Sequence, residues 1–229
     1  MSLERLFGLQ GKRALIIGAT PIGYAAQTLF VEAGATCALA DPGSDAEAIA
    51  TAVDQFVTEH SKIDILVYAA TLTGTYPLTD MTLDQWDGMQ NCNVRGAFVA
   101  VQRAVRHMRD SGGGAIVAVS TMGSLHPVLK GNAAYGASKA SLNAMIRAVA
   151  LDEQCHGIRA NTILPGAVPV GDAEAGAVRL GGPAMEPGRL LLGMGSCEDV
   201  AAGILYLASP AARFMTGQLL TLDGGFLIS

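Results

Sequence analysis

Short, uninterrupted apolar runs recur along this chain, each followed by a longer stretch with helical spacing. That alternation restricts the possible folds more than any other feature of the sequence. The runs at 13–18 (RALIIG), 35–40 (ATCALA), 63–69 (IDILVYA), 114–120 (GAIVAVS), 158–163 and 218–222 are continuous, not alternately polar and apolar. Strands covered on both faces read this way, as in a buried parallel sheet. Between them, 22–33, 45–60, 83–110, 133–156 and 197–208 carry helical periodicity. Gly34 is a stop signal for the first helix, Asp45 or Ser44 can cap the second, and Gly96 marks a bend in the third. Strand–helix alternation with right-handed crossovers predicts an α/β, doubly wound parallel sheet of Rossmann type, as a single domain over residues 1–229. Such sheets bind ligands beyond the carboxyl ends of their strands. The least regular segment, 166–196, is rich in Gly and Pro and suits a loop over a substrate.

Composition narrows the partners. Half of the 229 residues are hydrophobic, enough for a large core, and the net charge is −5 with no Lys/Arg-rich cluster. Nucleic acid and anionic membrane are therefore not expected as partners. Cys37, Cys92, Cys155 and Cys197 are far apart and form no CxxC pair, so neither a metal site nor a disulfide framework is expected. A reducing, cytoplasmic compartment fits. Residues 1–9 do not read as a signal peptide, and no stretch approaches the ~18 apolar residues of a membrane helix.

Two motifs carry chemistry. Gly18-Ala19-Thr20-Pro21-Ile22-Gly23 follows the first strand and opens the first helix, where glycines let a pyrophosphate approach backbone N–H groups. Asp41 ends the second strand, 18 residues after Gly23. A carboxylate there accepts the hydroxyls of an adenosine ribose and repels a 2′-phosphate, so NAD(H) is favoured over NADP(H). Tyr135 and Lys139 lie four residues apart on one helix face. An ammonium near the phenol favours the phenolate and brings the tyrosine toward the range of general acid–base work.

These motifs sit in a wider pattern: YGASKAS at 135–141, NVRGAF at 93–98 with Trp86 ahead of Asn93, GAIVAVST at 114–121, IRANTILPGAV at 158–168, EDVAAGILYLAS at 198–209 and TGQLLTLDGG at 216–225. With them the chain resembles the short-chain dehydrogenase/reductase family almost from end to end. The resemblance implies an NAD(P)(H)-dependent oxidoreductase interconverting a secondary alcohol and a ketone. It implies that Tyr135 transfers the proton, that Lys139 lowers its pKa and binds the nicotinamide ribose, and that Asn93 holds a water leading from Lys139 to solvent. The family's serine falls on Thr121, with Ser120 and Ser124 as neighbouring candidates. Gly18, Thr20, Ile22, Gly23, Asp41, Ala69, Ala70, Tyr135, Lys139, Pro165, Gly166 and Val168 would contact the cofactor. A homo-oligomer, dimer or tetramer, would form through the two long helices and the apolar C-terminus.

The chain also departs from the family. Where the family has GxxxGxG, Gly23 follows Gly18 after five positions and the middle glycine is absent. Pro21 removes a backbone donor from that turn. The stretch from Asp41 to Ile63 is short, which predicts six strands instead of seven and an edge position for the second strand, protected by Pro42 and the helix after it. The family's Asn-Asn-Ala-Gly reads Tyr68-Ala69-Ala70-Thr71. All these losses fall on the adenosine half of the site. Two readings follow: an active NAD(H)-dependent enzyme, or a cofactor-poor paralogue serving as a structural or regulatory subunit. The segment 171–195 carries few charges (Asp172, Glu174, Arg179, Glu186, Arg189), which favours a neutral or apolar substrate, though Arg179 or Arg189 could meet a carboxylate or phosphate.

Overall fold

A computed structural model describes residues 2–169 and 181–229. Asp172, Glu174 and Arg179 lie outside the described residues. The apolar runs form β1 (Arg13–Ile17), β2 (Thr36–Ala40), β3 (Ile65–Tyr68), β4 (Gly114–Val119), β5 (Ile158–Pro165) and β6 (Leu219–Leu222). They pair in parallel throughout, in the order β2-β1-β3-β4-β5-β6. This is a single-domain, six-stranded Rossmann-type sheet, with β2 at the edge as expected.

The helices are α1 (Leu3–Phe7), α2 (Pro21–Glu32), α3 (Ala46–His60), α4 (Leu83–Gln90), α5 (Ala97–Ser111), α6 (Ala133–Glu153) and α7 (Cys197–Ala208). One apolar layer lies under α3, α5 and α6, where Ile49, Val101 and Ile146 meet Leu15, Leu66 and Ile116 of the sheet. A second lies under α2 and α7, where Phe30 and Ile204 meet Ile16, Val67 and Val117. Successive strand residues feed opposite layers, which is why the strands are apolar without alternation. Residues 46–60 form α3, so no strand occupies 42–62. The helix expected to shield the β2 edge packs instead over the sheet face against α5, where Arg103 and His107 both reach Asp54. Among the described residues, no helix is long and apolar enough to cross a membrane.

The expected bend near Gly96 takes a specific form. Between α4 and α5 the helix runs through a π-helical stretch, Asn91–Gly96. Such wide turns insert a residue into the helix and are common at functional sites. Beside it, the Tyr68 hydroxyl at the end of β3 donates to the Cys92 carbonyl at 2.6 Å. Gly96 makes room for this phenol, since a Cβ there would lie 2.4 Å from the Tyr68 hydroxyl oxygen. Tyr68 is fully buried and cannot swing away. Gly96→Ala is therefore expected to destabilise the protein by about 1–3 kcal/mol through overpacking. The cost should shrink in a Tyr68→Phe background, which removes the clashing oxygen. Denaturant unfolding of the four-member cycle measures this coupling; strictly additive effects would refute it.

Candidate active site

The chain passes from β1 out to β2, then crosses β1 to reach β3, so the strand order reverses between β1 and β3. Crevices form at such reversals. Here a cleft of about 590 Å³ opens above the carboxyl ends of the strands. Its walls include Thr20 and Ile22 after β1, Ala69 and Thr71 after β3, Ser120 and Thr121 after β4, Tyr135 and Lys139 on α6, and Pro165, Gly166 and Val168 at the end of β5.

On the β1 side, Gly18 adopts φ 112°. A Cβ there would lie 2.2 Å from the Ala70 nitrogen, so glycine is needed for the loops after β1 and β3 to approach. Gly23 is equally confined, its Cβ position 2.3 Å from the Gly18 carbonyl oxygen. Thr20 caps α2, its hydroxyl accepting the Gly23 N–H at 3.1 Å. The Tyr24 N–H goes to the Thr20 carbonyl, and Pro21 has no N–H. Of the first turn, only the Ile22 N–H stays free for an anion at the helix N-terminus. A dinucleotide pyrophosphate fits this end of the cleft on one helix donor, not several. Gly18, Gly23 and Ala70 shape the backbone without lining the cleft, and Asp41 stands exposed beyond the end of β2.

On the α6 side, Lys139 is fully buried and donates to the Val119 carbonyl at 2.9 Å. Its nitrogen lies 5.9 Å from the centre of the Tyr135 ring. Burial pushes the lysine down to about 8. Tyr135 is half-buried, and burial raises its pKa, a rise that the Thr71 hydroxyl and then that of Thr121 partly offset. No lowering of the tyrosine by Lys139 is found, the ammonium being turned to the Val119 carbonyl. Thr121 also accepts the Gly123 N–H at 3.2 Å, which leaves its own proton free to donate. Ser120 points to the Lys139 carbonyl at 3.4 Å, and Ser124 donates to the Thr121 carbonyl at 2.6 Å. Of the three hydroxyl candidates, Ser120 and Ser124 donate to backbone carbonyls, while Thr121 lines the cleft with Tyr135.

Asn93, expected to hold a water toward Lys139, has its side chain committed elsewhere. Its amide nitrogen donates to the Leu72 carbonyl at 2.8 Å and to Ser138 Oγ at 2.9 Å, and its oxygen accepts the Leu72 N–H at 2.8 Å. Thr71 was not singled out in the sequence, although its place in the family's Asn-Asn-Ala-Gly, where glycine is usual, was a readable signal. The outer wall of Met122, Val128, Leu129 and Met185 was not read either. Arg189 does not reach the cleft; its guanidinium lies 4.9 Å from the centre of the Phe226 ring and donates to the Ser229 carbonyl.

Comparison with known proteins agrees with this architecture. The family model described as enoyl-(acyl carrier protein) reductase matches residues 25–227. The chain belongs to the short-chain dehydrogenase/reductase family. It is 32% identical to the 3-oxoacyl-(acyl-carrier-protein) reductase of Thermotoga maritima over 96% of this chain and 99% of that one. It is 30% identical to the NAD-dependent glycerol dehydrogenase of Listeria innocua, covering 98% and 97%. A crystal structure of a short-chain type dehydrogenase/reductase from Mycobacterium marinum superposes with a TM-score of 0.90 at 30% identity, covering 100% of both chains. The relatives are oxidoreductases, the glycerol dehydrogenase an NAD-dependent one, and this chain is an oxidoreductase of the same family.

The buried lysine makes stability depend on pH. Its folded pKa is depressed to about 8 from an ordinary 10.5, so the penalty for burying the charge is complete below pH 8 and fades as pH rises through about 10.5. Relative to Lys139→Met, the wild type is expected to gain on the order of 2–4 kcal/mol across that window. Parallel unfolding curves for the two proteins at pH 7 and pH 10 would contradict the burial reading.

Proposed function

We propose that the chain interconverts a secondary alcohol and a ketone, with NAD(H) favoured over NADP(H). One observation carries this reading: the Tyr135 phenol shares a cleft with the Thr121 hydroxyl, and the nitrogen of the buried Lys139 lies 5.9 Å from the centre of its ring. A nicotinamide dinucleotide, when bound, supplies or accepts the hydride. The chain's own residues do the remainder. Tyr135 gives its phenolic proton to the substrate oxygen in reduction and takes it back in oxidation. Thr121 donates to that same oxygen and orients it. Lys139, placed to meet the ribose, favours the phenolate whenever its ammonium turns toward the tyrosine. Thr20, Ile22, Ala69, Pro165, Gly166 and Val168 would form the cofactor's bed, with Gly18, Gly23 and Ala70 shaping the backbone beneath it, and Asp41 would meet the adenosine ribose and disfavour a 2′-phosphate. The apolar outer wall of Met122, Val128, Leu129 and Met185 supports a neutral, largely apolar substrate.

The single free N–H at the start of α2 favours a second reading, a cofactor-poor paralogue with a structural or regulatory role. A homo-oligomer, dimer or tetramer, is supported by exposed Phe98 on α5, Leu151 on α6 and Ile228 near the C-terminus. All four cysteines are unpaired, which suits the cytoplasm.

Tyr135→Phe separates the readings. It is expected to lower kcat by at least about 100-fold, a typical share for a general acid, while leaving the affinity for NADH within about twofold. Screening the wild type against small ketones and secondary alcohols with NADH and NAD measures this. Near-full activity in Tyr135→Phe would show that the proton comes from elsewhere. No turnover of any ketone or alcohol by the wild type would favour the second reading.

A further inference from the structure

The loop after β4 brings Thr121 to the cleft, and α6 brings Tyr135. Asn143 joins the two. It lies one turn past Lys139 and two turns past Tyr135 on the same face of α6, and it is 2% exposed. Its amide nitrogen donates to Ser124 Oγ at 2.8 Å. The Ser124 hydroxyl donates in turn to the Thr121 carbonyl at 2.6 Å, and the Ser124 N–H reaches the same carbonyl at 3.1 Å. An amide nitrogen only donates, so Ser124 Oγ accepts from it and keeps its own proton for Thr121. The Thr121 hydroxyl oxygen accepts the Gly123 N–H at 3.2 Å, which fixes the side chain from within the turn. Gly136 lets α6 approach this turn, since a Cβ there would already lie 3.2 Å from the Gly123 carbonyl oxygen. Helix and turn thus meet at two places, about two helical turns apart.

Stability alone does not account for Asn143. Its Oδ1 is buried without a partner among the described residues. A buried amide that makes one hydrogen bond and leaves its acceptor unpaired gains little over an apolar side chain of similar size. We propose that Asn143 is a positioning residue for the reaction: through Ser124 it fixes where Thr121 stands relative to Tyr135, so that one substrate oxygen meets both hydroxyls. This deepens the reading of Tyr135 and Thr121 as the pair that holds the substrate oxygen, and rests on it. Tyr135 is carried by α6 directly, and Thr121 is tied to the same helix through two hydrogen bonds in series. The separation of the two hydroxyls is then set by one rigid element. Without Asn143 the Ser124 hydroxyl is free to rotate, and the Thr121 carbonyl loses the bond that holds its turn against α6.

The test uses Asn143→Leu, Ser124→Ala and Thr121→Val, singly and in pairs. Asn143→Leu and Ser124→Ala are each expected to lower kcat/KM about tenfold, and the pair to lower it no further, because both act along one path. In a Thr121→Val background, Asn143→Leu should change kcat/KM by less than about twofold. A merely structural role predicts the same loss with or without the Thr121 hydroxyl, so an undiminished loss there would overturn the proposal. A second readout needs neither substrate nor cofactor. In the spectrum of threonine methyl groups labelled for NMR, the Thr121 signal is the one missing from Thr121→Val. The order parameter of that methyl is expected to fall in Asn143→Leu and in Ser124→Ala. An unchanged order parameter in both would overturn the proposal. Ser124 is only half-buried, so Ser124→Ala keeps both readouts available if Asn143→Leu does not fold. A wild type without turnover whose Thr121 methyl still loosens in these variants would count against the proposed activity and not against the tie from Asn143 to Thr121.

Discussion

Asn93 uses both donors and the acceptor of its amide inside the protein. It grips the backbone of Leu72 through N–H and carbonyl, and it reaches Ser138 on α6. The π-helical stretch, the loop after β3 and the helix bearing Tyr135 and Lys139 are thereby joined at one buried point. Leaving any of these bonds unmade would cost about 1–3 kcal/mol per buried group, so the arrangement is strongly specified. The Tyr68 hydroxyl on the Cys92 carbonyl ties the end of β3 to the same stretch, and Gly96 is what leaves it space. The family's paired asparagines are absent at this end of β3, where Tyr68 and Ala69 stand instead.

The electrostatics of the cleft follow from burial. Both the phenol of Tyr135 and the ammonium of Lys139 are pushed toward their neutral forms, the first upward and the second downward to about 8. A lysine titrating near 8 sits close to working pH, where small changes in its surroundings alter its charge. The threonine hydroxyls act against the effect of burial on the tyrosine. The charge state of the phenol therefore reflects a balance between burial and nearby hydroxyls, while the lysine ammonium is held at the Val119 carbonyl.

Much of this was legible in the sequence. Continuous apolar runs gave the strand positions within a residue or two, because a strand covered on both faces needs apolar side chains at every position. The short interval from Asp41 to Ile63 announced a missing strand, and the sheet has six. What stayed hidden depends on contacts between distant segments. Nothing local in NCNVRG distinguishes a π-helical stretch from a bent α-helix. That Tyr68 reaches Cys92, or that Lys139 turns to Val119, follows from packing across the sheet. Asn93 stands out in the sequence, but that its amide bonds to Leu72 and Ser138 follows from the fold. Thr71 was visible as a departure from the family pattern, yet its place in the wall of the same cleft as Tyr135 follows from the fold.

The central claim is that the chain keeps a nicotinamide dinucleotide in this cleft despite a glycine turn that leaves the Ile22 N–H as the one free donor of its first helical turn. Calorimetric titration of the protein with NADH and with NADPH tests it most directly. The account predicts saturable binding of NADH, weaker by about tenfold or more for NADPH because Asp41 would face the 2′-phosphate. Absence of binding heat for both, across a range of temperatures, would contradict it.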